Sequence, residues 1–240
     1  MRAAGCVIND YADRHVDGQV ERTKGRPLPA GEITPNQALW LCGFLLTTAL
    51  ILVLMTNPLT IALSFGGLMV TAVYPFMKRF TNLPQIGLGV AWAWVVPMAF
   101  AAQRESLPPE LWLIFAAIVV WTIAFDTYYA MVDRDDDLKI GIKSTAVLFG
   151  QYDLVLILVL QGATLLFMSL VGLEFQRSWI FFSSLLVSAG CFINQFRSAR
   201  NRERQACFAA FLNNHRVGMV IFIGIALDYF FEGLTLTAYF

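Results

Sequence analysis

Cysteine, histidine and charge are all scarce in this chain, and each scarcity excludes something. Its 240 residues hold 4 cysteines and 2 histidines. Cys6, Cys42, Cys191 and Cys207 show no CxxC and no Cys/His ligand spacing, which argues against a zinc or dithiol site. Three of them sit in apolar surroundings, where a free cysteine is a small core hydrophobe. His15 has no second histidine or cysteine at ligand spacing and is not expected to hold a metal, and His215, in a polar stretch, is expected on a solvated surface. Charged residues make up only 14% and hydrophobic ones 58%, with mean hydropathy +0.62. That is far too apolar for a soluble domain. The alternating ten-residue segments of a membrane barrel are also missing. What remains is a polytopic helical membrane protein, since helices satisfy every backbone group within lipid. No cleavable signal peptide is expected ahead of the first polar motif, and no nucleic-acid partner.

The hydrophobic runs predict spans at Asn36–Thr56, Leu59–Met77, Ile86–Ala102, Leu111–Val132, Leu154–Leu173, Ser178–Phe196 and Val217–Phe231. Asn57-Pro58 makes the turn between the first two, and Pro97 is expected to kink the third. Asp228 reads as a helix-end acid facing another helix or the interface. Trp92 and Trp94 read as lipid-facing or core. Of the 17 lysines and arginines, all but Arg2, Arg104 and Arg177 fall on one set of loops. By the positive-inside rule that side is cytoplasmic.

On that side lie two acidic stretches. Asp126–Ser144 reads DTYYAMVDRDDDLKIGIKS, and Asn9–Asp17 reads NDYADRHVD. A helix turns about 100° per residue, so Tyr129, Asp133 and Asp137 share a face, as do Asn9, Asp13 and Asp17. Asp126 lies on the first face too, about 10 Å deeper at about 1.5 Å per residue. Asp135 points away and is expected to be solvated; Asp10 and Asp136 flank the faces and are left unassigned. Four spans, an even number, separate the two stretches, so both reach the same membrane face. Carboxylates at a bilayer boundary are costly unless paired and tend to mark function. Facing sets of hard oxygen ligands suit Mg²⁺, which keeps several waters and bridges to substrate phosphates. Arg22, Arg26, Lys78, Lys139 and Lys143 are the cations available to complete a diphosphate site. At a lipid boundary, such a site admits a polar diphosphate carrying a long hydrocarbon tail.

Four segments carry a family likeness: NDYADRHVDGQVERTKGRPLPAG, YPFMKRFTNLPQ, DTYYAMVDRDDDLKIGIKSTAVLFG and NRERQACFAAFLNNHRVG. Together they resemble the UbiA superfamily of intramembrane prenyltransferases, and most closely its bacterial branch acting on 4-hydroxybenzoate in ubiquinone biosynthesis. The resemblance implies one all-α transmembrane bundle over residues 1–240, about seven full spans plus a partial first helix, around a cavity open to the cytoplasmic side and to lipid. It implies a bacterial inner-membrane location, and a complete span expected ahead of the first motif. It further implies that Asp13, Asp17, Asp133 and Asp137, with Asn9, hold Mg²⁺ against a polyprenyl diphosphate, and that Arg79 holds the carboxylate of 4-hydroxybenzoate. The prenyl group then moves to the ring carbon ortho to the phenol. Oligomeric state is left open. The same fold acting on a naphthoate, porphyrin or homogentisate is the alternative. A CDP-alcohol phosphotransferase would need a DxxDGxxAR pattern that is absent. An ion-coupled transporter would favour acids near the midplane on broken helices.

Overall fold

The computed structural model describes residues 1–15, 17–19 and 23–237, and no strand occurs among them. Helix α1 (Arg2–Asp13) precedes a short 3₁₀ turn at Asp17–Gln19. Then follow α2 (Pro35–Leu54), α3 (Pro58–Met77), α4 (Pro84–Ala93), α5 (Val95–Arg104), α6 (Leu111–Ile140), α7 (Thr145–Phe149), α8 (Asp153–Glu174), α9 (Trp179–Ala199) and α10 (Arg204–Thr237). Seven helical segments are long and apolar enough to cross a membrane, with α4 and α5 together forming one of them. The all-helical membrane bundle read from composition is therefore the fold. Large apolar side chains such as Trp40, Phe44, Met69 and Phe222 face outward, as lipid-contacting surfaces do.

Local chemistry sets the helix ends. Thr34 caps α2 in a reciprocal box with Gln37, and Asn57 caps α3 by accepting from the Thr60 N–H. The Asn57 amide also donates to Ala101 O at 2.7 Å, fastening the start of α3 to the end of α5. Gly141, at φ 73°, ends α6 in the left-handed conformation that glycine tolerates.

Two spans depart from expectation. The third breaks at Trp94, between α4 and α5, rather than kinking at Pro97 itself. Proline lacks the N–H that would bond the carbonyl one turn earlier and its ring crowds that carbonyl, so the disruption falls upstream. Gly66 and Gly67 of α3 leave room for the displaced indole, since a Cβ on either would lie 2.7 Å from the Trp94 ring. The indole N–H then donates to Leu63 O at 2.8 Å. The last helix begins at Arg204, well before Val217. The polar run Asn213–Arg216 lies inside it, because Asn214 turns inward and accepts from the Trp121 indole at 2.9 Å. His215 is accordingly a helical residue, exposed on α10. Asp228 also lies within α10; it accepts from the Ser178 backbone N–H at 3.0 Å and pairs with Arg177 at 3.4 Å.

Helix α6 is the hub, packed against α4, α5, α7, α8 and α10, while α1 rests on α2 and α3. The C-terminal ends of α6 and α1 thereby approach each other across α3 and α4.

Candidate active site

A cavity of about 140 Å³ opens where those ends meet. From α1 and its following turn it takes Asn9, Asp13 and Asp17; from α6 it takes Asp126, Tyr129, Asp133 and Asp137. The two acidic stretches, more than a hundred residues apart in the chain, line one space. Residues at i, i+4 on a continuous helix keep one direction, and α6 stays helical through Ile140, so Asp133 and Asp137 keep the face that Tyr129 defines.

The intervening residues of α6 turn elsewhere. Arg134 binds the fully buried Asp153 and donates to Gly150 O at 3.2 Å. Asp135 is largely exposed, 3.4 Å from Arg204, and Asp136 takes Arg204 at 3.2 Å and Lys139 at 3.8 Å.

Three of the predicted cations line the cavity: Arg26, Lys78 and Lys143. Lys78 pairs with Asp13. Arg26 joins Asp10 at 2.7 Å to Asp17 at 3.1 Å, crossing from the turn back to α1. The Lys143 ammonium donates to Phe80 O at 3.3 Å. Lys139 points outward, and Arg22 lies outside the described residues. Arg79 is not in the lining; its guanidinium donates to Ala12 O at 2.8 Å and covers the Phe76 ring. The loop after α3 turns it away from Lys78. Five further polar lining residues had no role assigned from the sequence: Thr23, Tyr74, Gln85, Asp126 and Ser144. Asp126 was placed on the right face by its spacing. The others are single polar residues whose direction only the packing decides. Behind Tyr129 stand Phe208 and Phe211, the latter with ring centroids 4.7 Å away.

Among the described residues no three acidic, histidine or cysteine side chains converge closely enough to hold a metal ion by themselves. Such an open arrangement fits Mg²⁺ shared with a substrate, because that ion binds one or two carboxylates and completes its shell with water and phosphate. The clearest mark is Asp13. It is 2% exposed; one carboxylate oxygen holds Lys78, and the other, Oδ1, is buried with no hydrogen-bond partner among the described residues. A buried acceptor left unmatched costs about 1–3 kcal/mol, so a donor or cation is called for there.

The UbiA prenyltransferase family model matches residues 1–223. The chain belongs to this family. It is 57% identical over 229 residues to a 4-hydroxybenzoate octaprenyltransferase of Ectopseudomonas mendocina (strain ymp), covering 95% of this chain and 77% of that protein. The corresponding protein of Marinomonas sp. (strain MWYL1) is also 57% identical, over 231 residues, with 96% and 81% covered. The apo structure of a UbiA homologue from Aeropyrum pernix K1 superposes with TM-score 0.83 at 26% identity, over 95% of this chain and 85% of that one. A homologue from Archaeoglobus fulgidus, bound to GPP and Mg²⁺, shares the fold with TM-score 0.63 at 21% identity, over 95% and 83%. Seven spans and this membership make the protein a multi-pass membrane prenyltransferase.

Proposed function

We propose that the chain transfers a polyprenyl group from a polyprenyl diphosphate to 4-hydroxybenzoate, at the ring carbon ortho to the phenol, as a step toward ubiquinone. The observation that carries the reading is the single cavity that unites Asn9–Asp17 with Asp126–Asp137 at one end of a lipid-facing bundle. The acceptor is supported by the 57% identity to proteins named for it. The enzyme sits in a bacterial inner membrane with this cavity toward the cytoplasm, the side rich in lysine and arginine.

Asp13, Asp17, Asp133 and Asp137, with Asn9, are the residues that would hold Mg²⁺. When bound, the ion supplies positive charge against the diphosphate oxygens. Lys78, Arg26 and Lys143 line the same cavity and stabilise the leaving diphosphate as the allylic C–O bond breaks. The carbon left behind is cation-like and is favoured by aromatic faces, which Tyr74 and Tyr129 present. The ortho carbon of the phenol bonds to it, and the ring proton passes to a basic oxygen, of which the released diphosphate and the cavity carboxylates are those at hand. Arg79 remains assigned to the acceptor's carboxylate by family likeness, and it reaches that role only by releasing Ala12 O. Lys139, exposed on α6, and Arg22, which lies outside the described residues, keep the diphosphate-binding role given them from the sequence.

A transporter is disfavoured because the helix carrying the acids, α6, is unbroken, while the broken span, α4 and α5, carries none. The test is mass spectrometry of membranes incubated with 4-hydroxybenzoate and mixed prenyl diphosphates. A 3-polyprenyl-4-hydroxybenzoate product that vanishes with EDTA and returns with Mg²⁺ is expected. Product on a naphthoate, porphyrin or homogentisate alone would replace the acceptor.

A further inference from the structure

Gln85 is the second residue of α4, which packs against α6; it is 4% exposed and lines the cavity. Its Oε1 accepts from the backbone N–H of Thr145 at 3.3 Å. A backbone N–H bonds only to the oxygen of an amide, so the side chain's orientation is settled. Its NH₂ has no hydrogen-bond partner in the protein among the described residues, yet it is not sealed from the cavity. Thr145 is itself held, through its hydroxyl, to Thr127 of α6 at 2.8 Å. The amide is thus fixed by α4, α6 and α7, and two N–H donors are presented to whatever enters.

The neighbourhood selects the ligand atom. The Lys143 N–H bonds Lys78 O at 3.3 Å, joining the loop after α3 to the loop after α6. Lys78, Lys143, Ser144 and Gln85, all carrying donors, line the cavity together with the carboxylates of α1 and α6, and Lys78 already pairs with Asp13. A lining that combines donors with carboxylates suits an anion bound together with a divalent cation.

We infer that Gln85 is a binding residue for the diphosphate of the prenyl donor, donating from its NH₂ to a phosphate oxygen. The inference rests on the proposed prenyl transfer and deepens it. Two variants separate this role from a structural one. Gln85→Glu keeps an oxygen for the Thr145 N–H but removes the donor; Gln85→Met removes both without adding charge. Initial rates with 4-hydroxybenzoate and prenyl diphosphate, and inhibition by inorganic diphosphate with Mg²⁺, are measured for each. Both variants are expected to raise the KM for prenyl diphosphate about ten- to a hundredfold, the range of one hydrogen bond to a charged group. The inhibition constant for inorganic diphosphate should rise in parallel, with the KM for 4-hydroxybenzoate changed less than about threefold. A wild-type diphosphate KM in Gln85→Glu overturns the inference. So does impairment of Gln85→Glu alone, which would be a charge effect, or a rise confined to the aromatic substrate. A wild-type protein that neither transfers prenyl groups nor responds to diphosphate overturns the proposed function as well, whereas active wild type with unaltered variants overturns only the role of Gln85.

Discussion

Asp13 and Asp153 are both almost wholly buried, at 2% and 0% exposure, and both meet cations. Their surroundings differ. Asp153 is saturated: Arg202 reaches one oxygen at 2.9 Å, Arg134 binds the other, and the Leu154 N–H closes the set at 2.6 Å. These bonds, with Arg202 donating to Gln151 O at 2.7 Å, tie α6 to the start of α8 and to the turn before α10. Asp13 lines the cavity with a single lysine on one oxygen and, among the described residues, no partner for the other, which is buried. An ion pair with every lone pair matched is architecture, because nothing further can bind without displacing a partner. An acid with an oxygen left over retains the capacity to bind a ligand. The contrast separates the clamp from the site within one bundle, even though Arg134 and Asp133 are consecutive residues.

The largest effect expected from breaking this contrast is on the site side. Asp13→Asn should lower turnover by about a thousandfold, the scale of losing a group that stabilises developing charge. The midpoint of thermal unfolding in detergent should stay close to wild type, since the replaced carboxylate was only half satisfied. A fall in stability with activity per folded molecule preserved would place Asp13 with the structural acids. Asp133→Asn and Asp137→Asn come next, each expected to reduce the rate by orders of magnitude and to raise the Mg²⁺ concentration needed for half-maximal activity. An unchanged Mg²⁺ requirement would remove that residue from the ligand set.

Asp153→Asn should show the reverse pattern. Removing the buried anion leaves the part-exposed Arg134 and Arg202 guanidinium groups facing each other without their partner, a loss of at most about 3–5 kcal/mol. Unfolding in detergent should therefore come much earlier, while the rate per folded molecule falls by less than about tenfold. If turnover collapses without loss of stability, the clamp belongs to the chemistry.

This division was only partly legible in the sequence. The i, i+4 spacing of Asn9, Asp13 and Asp17, and of Tyr129, Asp133 and Asp137, is a local signal that survives because the helix carrying it stays regular. The spans were legible for the same reason, as runs of apolar residues. Asp153 gave no signal, because its partners are 19 and 49 positions away and nothing local pairs them. The start of α10 was missed because Asn213–Arg216 reads as a polar loop until Trp121 supplies a partner from another helix. The opposite directions of Lys78 and Arg79 depend on how α3 ends, which residue type alone does not encode. Gln85 looked like any polar residue after a proline.

The smallest effect expected is at Asp135, and it tests the helical-face argument most directly. Asp133, Asp135 and Asp137 carry the same charge within one turn and a half of α6. A general electrostatic or solubility role would make them interchangeable. Ligand geometry does not, because a carboxylate on the wrong face cannot reach the cavity whatever its charge. Asp135 is 70% exposed and pairs with Arg204 at 3.4 Å, and exposed pairs of this kind contribute little. Asp136 remains beside the same arginine at 3.2 Å, so the contact between α6 and α10 survives its loss. Asp135→Asn, compared at equal membrane abundance, should therefore change the rate by less than about tenfold, under about 1.4 kcal/mol of barrier. Should it prove as damaging as Asp133→Asn, orientation on the helix would no longer distinguish ligands from bystanders, and the acidic stretch would have to act as a field of charge rather than as a shaped site.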